Sequence, residues 1–332
     1  MPNQAYDVVA VGNAIVDVIG RCDDAFLTAH GAPKGHMRLV DAEQVAALYN
    51  AMGPAREISG GSAANTVAGV ASFGGRPAYM GKVADDEFGR IFTHDLNAAG
   101  VTYRTRPKSG GDPTARSLVL VTPDGERTMS TFLGVSPQFD AADLDVELIS
   151  SASILYLEGY LFDQPEAKAA FYRAADIARG AGVKVALTLS DAFCVERHRP
   201  SFRDLLRTRI DIVFANESEL LALAQTSTHD EAIDMIAPDV ELLAATQSAK
   251  GSILVSGQTR ISVAPVPVPT VVDTTGAGDL YAAGVLFGLS KGLPLSQCGA
   301  LGSIAAAEII CHLGARPERS LQDLARKAGL IT

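Results

Sequence analysis

The stretch Val271–Phe287, VVDTTGAGDLYAAGVLF, holds the most informative pattern in this chain of 332 residues. A glycine-rich turn, Gly276-Ala277-Gly278, separates a short apolar segment from a long run of small and apolar residues that predicts a helix. Glycines at a helix N-terminus let an anion approach unpaired backbone N–H groups, and the helix dipole also favours negative charge there. Gly276, Ala277 and Gly278 are therefore predicted to bind a phosphoryl group during its transfer.

Asp279 follows this turn directly, on the first turn of the predicted helix. A carboxylate beside an anion site can accept the proton of an attacking hydroxyl, so Asp279 is the candidate general base. Helix capping is the alternative role that this stretch alone leaves open, because Asp is a preferred cap. Gly75–Val83 (GRPAYMGKV) is a near match to the Walker A sequence, but it has the wrong spacing and no Ser or Thr after the Lys. Any phosphate chemistry is therefore expected at Gly276–Asp279.

Outward from this stretch, strand-like and helix-like runs alternate along the chain. Tyr6–Gly12 and Val183–Leu189 are apolar and predict strands, while Asp86–Gly100 has its apolar residues on one helical face. This alternation predicts an α/β fold with a mostly parallel, Rossmann-like central sheet flanked by helices. Asp17–Asp41 and Tyr103–Phe132 break the rhythm with strand-like alternation and a Pro-Asp-Gly turn. We expect them to form a small inserted β-sheet; an edge extension of the main sheet is the alternative.

Polar and glycine residues lie near the predicted end of the first strand and near the start of a later helix. Asn13 and Asp17 follow the first strand, and Gly60 and Gly61 precede a helical run that contains Asn65. Ligands of open α/β sheets bind beyond the carboxyl ends of strands, and an Asn side chain both donates and accepts hydrogen bonds. These residues are therefore candidates for holding substrate hydroxyls. The alternatives are a surface turn and close packing of a helix on the sheet.

Asn216-Glu217-Ser218-Glu219 follows the predicted strand Ile210–Phe214. Carboxylates near a phosphate site can organise Mg²⁺, often through its water ligands, because Mg²⁺ loses water reluctantly. An ordinary capped helix start with acidic residues in its first turn is the alternative.

The composition excludes several classes of protein. The formal net charge of −10 argues against binding a nucleic-acid backbone, which requires clustered Lys and Arg. No apolar stretch reaches the ~18 residues that suggest a membrane span, and the N-terminus has no pattern of a signal peptide. The four cysteines form no CxxC pair and have no His at metal-site spacing, so we expect reduced thiols. We therefore expect a cytoplasmic enzyme that acts on small molecules.

Three motifs in this order resemble those of the ribokinase-like (PfkB) sugar kinase family. Gly60–Asn65 is similar to its N-terminal signature, Asn216–Glu219 to its NxxE motif and Asp273–Asp279 to its C-terminal signature. The resemblance covers nearly the whole chain. It implies one kinase domain over 1–332 with a discontinuous β lid at about 17–41 and 103–132. It also implies ATP, Mg²⁺ and often a monovalent cation such as K⁺.

The same resemblance implies a role for each candidate residue. It makes Asp279 the base and Gly276–Gly278 the anion hole. It implies that the phosphate acceptor is bound by Asn13, Asp17, Gly60, Gly61, Asn65 and Tyr160, and the nucleotide by Asn216, Thr246, Ser248 and Gly251. Glu219 would lie near Mg²⁺ and contact it through water, and Asp273 and Thr275 would bind the monovalent cation. Thr246-Gln247-Ser248 departs from the Thr-x-Gly that is common in the family. Serine at this position could narrow the nucleotide site.

Within the family, the chain resembles the adenosine kinases in three further segments. Gly12–Asp17 is similar to their opening motif, and Lys34–Asp41 is similar to the lid of bacterial members. Leu157–Leu161 resembles the segment that places an aromatic side chain against the base, here Tyr160 or alternatively Phe162. Adenosine is thus the expected acceptor, in a monomer or homodimer. The alternatives are a fructokinase, ribokinase or ketodeoxygluconate kinase, and more distantly a non-catalytic nucleoside-binding protein. A dehydrogenase is disfavoured because no GxGxxG follows the first strand.

Overall fold

The computed structural model describes residues 4–332. The strands are β1 (Tyr6–Val11), β2 (Ile15–Arg21), β3 (Met37–Leu39), β4 (Ala55–Gly60), β5 (Pro77–Met80), β6 (Thr102–Tyr103), β7 (Ala115–Val121), β8 (Arg127–Phe132), β9 (Ala152–Glu158), β10 (Lys184–Thr188), β11 (Ile212–Asn216), β12 (Leu242–Thr246), β13 (Ser252–Ser256) and β14 (Thr259–Val263). The helices are α1 (Asp24–Ala29), α2 (Ala42–Ala51), α3 (Ser62–Ser72), α4 (Glu87–Ala98), α5 (Val146–Ser150), α6 (Pro165–Gly180), α7 (Ala192–Thr208), α8 (Glu217–Ala224), α9 (His229–Ile236), α10 (Ala277–Ser290), α11 (Leu295–Ile309) and α12 (Leu321–Lys327).

The main sheet has nine strands in the order β14-β13-β12-β11-β10-β9-β1-β5-β6. Its strands pair in parallel from β6 to β12, and β13 and β14 add antiparallel pairs at one edge. Along β1, Val8 and Ala10 face a core that includes α3, α10 and α11, while Val9 and Val11 face a second core that includes α6 and α7. Because both faces are covered, the run Val8–Val11 of β1 is apolar without alternation. The predicted α/β class is confirmed.

The smaller sheet has five strands in the order β3-β8-β7-β2-β4. The predicted hairpin is present: β7 and β8 pair antiparallel, and Gly125 in the turn between them has φ +85°. Two boundaries differ from the prediction. Strand β4 belongs to this sheet although it lies outside both predicted segments, and Tyr103 lies in β6, which pairs with β5 in the main sheet. A separate sheet excludes an edge extension of the main one, while its action as a lid stays a prediction.

Small residues bring α10 close to α3 and α11. A Cβ at Gly69 of α3 would lie 2.6 Å from Cβ of Ala283, and one at Gly284 would lie 2.4 Å from the backbone N of Gly302. Any larger residue would push the helices apart at these positions. The N-termini of α3 and α10 are thereby held side by side, near the carboxyl ends of β1 and β9. Among residues 4–332, no helix is long and apolar enough to cross a membrane.

Candidate active site

Asp279 is positioned by the junction of α10 with α3. Its carboxylate accepts hydrogen bonds from Ser62 Oγ at 2.6 Å and from Asn65 Nδ2 at 3.0 Å. The N-cap position of α10 belongs to Gly276, and no side chain caps this helix. The capping role for Asp279 is therefore excluded, because its carboxylate is directed at a neighbouring helix and not at its own backbone.

The surroundings of Asp279 suit a proton acceptor. Burial raises the pKa of its carboxyl group, and the hydrogen bonds from Ser62 and Asn65 and the charge of Arg316 oppose this rise. Each carboxylate oxygen accepts one hydrogen bond from α3 and keeps a further lone pair. Asp279 can thus take a proton from a hydroxyl while its orientation stays fixed.

The turn before Asp279 presents free backbone donors. Ala277 N–H donates to Thr274 O at 3.2 Å, whereas the N–H groups of Gly276, Gly278 and Asp279 find no acceptor within residues 4–332. Gly276 has φ +79°, and a Cβ there would lie 2.8 Å from Cβ of Ala315. A Cβ at Gly278 would meet nothing within 4 Å. Gly276 is therefore required by the fold, while the space beside Gly278 is open to a phosphate group.

Asp17 lies on β2, facing the same cleft. A Cβ at Gly60 would lie 2.4 Å from its Oδ2, so glycine is needed where the backbone passes this carboxylate. Burial raises the pKa of Asp17 to about 6, although the positive charges of Arg316 and Arg127 act in the opposite direction. The carboxylate receives no hydrogen bond from residues 4–332 and remains available to hydroxyl donors.

Asn13 lies deeper than predicted. It is 3% exposed, its Nδ2 donates to Glu158 Oε1 at 2.8 Å, and its Oδ1 accepts from Ser136 Oγ at 2.9 Å. Glu158 also accepts the N–H of Ala63 at 2.8 Å, which ties the carboxyl end of β9 to the start of α3. Burial raises the pKa of Glu158 to about 7. Both ends of the Asn13 side chain are occupied within the protein, so the structure supports a positioning role and gives no support to direct contact with the acceptor.

Asn65 keeps one free acceptor. Its Nδ2 is directed to Asp279, and its Oδ1 is buried without a hydrogen-bond partner among residues 4–332. An unpaired buried carbonyl oxygen is unfavourable, so this atom is suited to a hydroxyl donor from a ligand. Gly61 precedes α3 with φ +95°, and a Cβ there would lie 2.1 Å from Asn13 O. Glycine at this position permits the close approach that places Asn65 beside Asp279.

The two predicted aromatic residues differ in their exposure. Phe162 is fully buried and stacks on Phe202, with ring centroids 4.6 Å apart. Tyr160 is 38% exposed, and its N–H donates to Ser190 Oγ at 3.2 Å. Burial of its hydroxyl and the charges of nearby carboxylates, among them Asp279, raise the pKa of Tyr160. Tyr160 follows Glu158 by two residues, at the carboxyl end of β9, where Glu158 contacts the start of α3.

The predicted nucleotide residues Asn216 and Thr246 are neighbours across β11 and β12, at the carboxyl edge of the main sheet. Asn216 and Glu219 form a reciprocal cap: Asn216 Oδ1 accepts the N–H of Glu219 at 2.9 Å, and Glu219 accepts the N–H and Nδ2 of Asn216 at 3.0 and 2.6 Å. The capped helix start considered above is thus present. Burial raises the pKa of Glu219 to about 7, and the charges of Asp191 and Asp279 add to this rise.

The loop after Thr246 has an uncommon backbone. Ser248 has φ +50°, the left-handed conformation that glycine adopts without strain. This agrees with the glycine that the family pattern has at that position. Gly251 has φ +89°, and a Cβ there would lie 2.1 Å from Val263 O, so its requirement is structural. Contact of either residue with a nucleotide stays a prediction.

A Mg²⁺ ion fits this cleft through phosphates and water and not through a protein cage. Residues 4–332 contain no group of three or more His, Cys, Asp and Glu side chains able to hold a metal. The charges of Asp191 and Asp279 raise the pKa of Glu219, so a divalent cation near Glu219 would relieve this repulsion. This matches a metal that keeps several waters and binds mainly to substrate phosphates.

The residues expected to hold a monovalent cation do not fit one. The Asp273 carboxylate forms an ion pair with Arg127, and it accepts the N–H groups of Thr275 and Gly314, each at 3.0 Å. Thr275 therefore contributes a donor to this carboxylate, where a cation would require an oxygen ligand. The positive charge beside Asp273 belongs to a side chain of the smaller sheet.

Four residues of this site were not predicted from the sequence. Ser62 positions Asp279, and Glu158 positions Asn13 and the start of α3. Arg127 and Arg316 bring positive charge into the cleft. Arg316 donates to Ser59 O at 2.9 and 2.7 Å and also to Ala64 O. Ser62 could have been found, because it stands within the glycine-rich signature. The two arginines and Glu158 carry no local pattern, since their partners lie far away in the chain.

Comparison with known proteins agrees with this geometry. A model of the pfkB family carbohydrate kinases matches residues 46–321. The structure of adenosine kinase from Sinorhizobium meliloti is 51% identical and aligns over 98% of this chain and 99% of that chain, with a TM-score of 0.91. A probable sugar kinase protein from Rhizobium etli CFN 42 is 49% identical, over 99% of this chain and 100% of that chain, with a TM-score of 0.92.

A curated relative is more distant. Probable fructokinase-6, chloroplastic, from Arabidopsis thaliana is 30% identical over 73% of this chain and 65% of that protein. The relatives thus include both a nucleoside kinase and a sugar kinase. Because the family model covers most of the chain, this protein belongs to the pfkB family of carbohydrate kinases and is a kinase.

Proposed function

We propose that this kinase transfers the γ-phosphoryl group of ATP to the 5′-hydroxyl of a purine nucleoside, adenosine before inosine. The observation that carries the choice of a nucleoside is Tyr160, a partly exposed aromatic side chain that follows the carboxyl end of β9, near the start of α3. A nucleobase needs a flat apolar surface, whereas a pure sugar needs more hydrogen-bonding groups. The structure of an adenosine kinase that is 51% identical over nearly the whole chain supports the same choice.

In the proposed reaction, Asp279 accepts the proton of the 5′-hydroxyl as its oxygen attacks the γ-phosphorus. The new O–P bond forms as the bond from the γ-phosphorus to the β,γ-bridging oxygen breaks, and that oxygen leaves with ADP. The free N–H groups of Gly276, Gly278 and Asp279 stabilise the negative charge of the transferring group. Mg²⁺, when bound, neutralises charge on the phosphates. Ser62 and Asn65 hold the Asp279 carboxylate in place throughout.

The acceptor is proposed to bind through its ribose. The Asp17 carboxylate and the unpaired Oδ1 of Asn65 are suited to accept hydrogen bonds from the 2′- and 3′-hydroxyls. The base then extends towards Tyr160. Met37 and Leu39 of β3 are 52% and 63% exposed, and we propose that they cover the base from the smaller sheet. Such contacts would bury apolar surface of both partners.

A screen of ADP release over adenosine, inosine, guanosine, ribose, fructose and ketodeoxygluconate tests the acceptor. We expect the highest kcat/KM with adenosine. Fructose is the second candidate, because curated relatives at about 30% identity are named as fructokinases. A higher kcat/KM for fructose than for adenosine would replace the nucleoside proposal with a sugar-kinase function at the same site.

Substitution of Tyr160 separates the two functions further. An aromatic contact is worth roughly 0.5–1.5 kcal/mol beyond area burial, or about 2- to 13-fold in affinity. Tyr160→Ala should therefore lower kcat/KM for adenosine by at least this factor and leave ribose nearly unaffected. Val146→Ala serves as a control, because Val146 is also exposed, at 53%, but it starts α5, which precedes the amino end of β9. An unchanged kcat/KM for adenosine in Tyr160→Ala would remove the aromatic contact from the proposal.

A further inference from the structure

Arg127 and Asp273 join the smaller sheet to the loop that precedes the anion hole. Arg127 is the first residue of β8, and its Nη1 donates to Oδ2 of Asp273. Asp273 is 5% exposed, and its own N–H is bonded to Ile310 O at 3.3 Å. The ion pair is therefore largely shielded from water, where opposite charges interact more strongly than at an exposed surface.

Every other contact of the Asp273 carboxylate is also with a donor. Oδ1 accepts the N–H of Thr275, and Oδ2 accepts the N–H of Gly314. Burial alone would raise the pKa of Asp273, but the hydrogen bond from Arg127 and those from the two backbone groups hold it below its usual value. The carboxylate thus stays ionised, and its charge is balanced by a guanidinium that cannot lose its proton.

A monovalent cation at this position would meet unfavourable surroundings. Alkali cations require oxygen ligands, whereas Arg127, Thr275 and Gly314 present N–H groups to the Asp273 carboxylate. A second positive charge beside the guanidinium would also be repelled. The Arg127 charge acts on Asp17 as well, which places it between the acceptor side of the cleft and the anion-hole loop.

We propose that the Arg127 guanidinium takes the place of a monovalent cation in this kinase, so that its activity does not depend on K⁺. Arg127 fixes the Asp273 carboxylate, and that carboxylate holds the N–H of Thr275 at the entrance to the glycine turn. The positive charge that orders this loop is thus part of the chain. The proposal rests on the kinase activity of the family and not on adenosine as the acceptor.

The wild-type protein provides the first test. Melting temperature and ADP release are measured in potassium chloride and in choline chloride at equal ionic strength. We expect the same melting temperature and kcat values that agree within roughly twofold. A larger stimulation by K⁺, accompanied by a higher melting temperature, would overturn the proposal. The melting temperatures need no phosphate acceptor, so a wrong choice of acceptor cannot be confused with failure here.

Variants of Arg127 provide the second test. Arg127→Ala leaves a buried carboxylate without its counter-charge, so the variant should melt below wild type in choline. K⁺ should then restore part of the loss, by roughly 3 °C or more, and raise kcat. Arg127→Lys keeps a positive charge and should stay indifferent to K⁺. Lys34→Ala is the control, because Lys34 also forms an ion pair with the β7–β8 hairpin, at Asp124, but its partners Asp24 and Asp124 are exposed.

The K⁺ responses of Lys34→Ala and of the two Arg127 variants can contradict the proposal in two ways. Arg127→Ala that is as stable as wild type and equally indifferent to K⁺ would contradict the proposal, because the guanidinium would then not substitute for a cation. A similar K⁺ response in Lys34→Ala would also contradict it, since the effect would be one of general salt. Should Arg127→Ala fail to fold, wild type and Arg127→Lys still decide the matter.

Discussion

Asp17→Asn is expected to stabilise the unliganded protein while it weakens substrate binding. Asp17 is an ionisable residue in the cleft that receives no hydrogen bond from residues 4–332, and burial raises its pKa to about 6. An aspartate in an unfolded chain has a pKa of about 3.9. The folded state therefore binds this proton more tightly than the unfolded state, and ionisation of Asp17 opposes folding.

The difference between the folded and unfolded pKa values of Asp17 sets the size and the pH range of the change in stability. About two pKa units at about 1.4 kcal/mol each give an upper limit of roughly 3 kcal/mol. The favourable contribution of protonated Asp17 is fully present below the unfolded pKa, near pH 4, and is lost as the pH rises through 6. Relative to a neutral side chain of the same shape, wild type should therefore be less stable at pH 8 by up to about 3 kcal/mol and nearly equal at pH 4.

Urea denaturation of wild type and Asp17→Asn at pH 4.5, 6 and 8 measures this difference as a free energy of unfolding. Asp85→Asn is the control, because Asp85 is an exposed aspartate outside the cleft. The same variants are assayed for acceptor KM, which should rise roughly 10- to 100-fold in Asp17→Asn because charged hydrogen bonds are lost. Equal stability of Asp17→Asn and wild type at pH 8, or a gain that is the same at all three pH values, would refute the reasoning.

Three further outcomes concern catalysis. Asp279→Asn should lower kcat by about 10²–10⁴-fold with little change in melting temperature, since the carboxylate is the proposed base; kcat within threefold of wild type would disprove this role. Gly278→Val should fold, because a Cβ there meets nothing within 4 Å, and calorimetry should show a greater loss of affinity for an ATP analogue than for the acceptor; equal losses would point to misfolding instead. Hydrogen exchange over 17–41 and 115–132 should slow when the acceptor binds, and unchanged exchange at saturation would rule out a lid.

The predicted features that the structure contains are those that follow from local backbone geometry. The turn before Asp279 and the helix after it are contiguous, so spacing alone indicated a free helix N-terminus there. The same is true of the hairpin between β7 and β8, where Pro-Asp-Gly determines the turn. Strand β4 was missed because AREISG is short, polar and without clear alternation.

The sequence is less informative where the orientation of a side chain or a partner far away in the chain decides the contacts of a residue. Asn13 was expected at the acceptor because it follows β1, but the residue type does not show whether the side chain faces the cleft or, as here, Glu158 and Ser136. Asp273 was assigned to a cation by resemblance, and nothing in the local sequence reveals Arg127, which lies 146 residues earlier. Contacts of this kind follow from the packing of the two sheets and not from periodicity.

The contact between α3 and α10 has a consequence for synthesis of the protein. Ser62 and Asp279 are 217 residues apart, and α10 is buried along most of its length between α3 and α11. On the ribosome, α3 emerges first and must wait for its partner helix, for roughly 10–45 s at ordinary elongation rates of about 5–20 residues per second. Until then the inner surface of α3 remains open to solvent and to chaperones. Incomplete chains that end before α10 therefore carry the first half of the active site without its base.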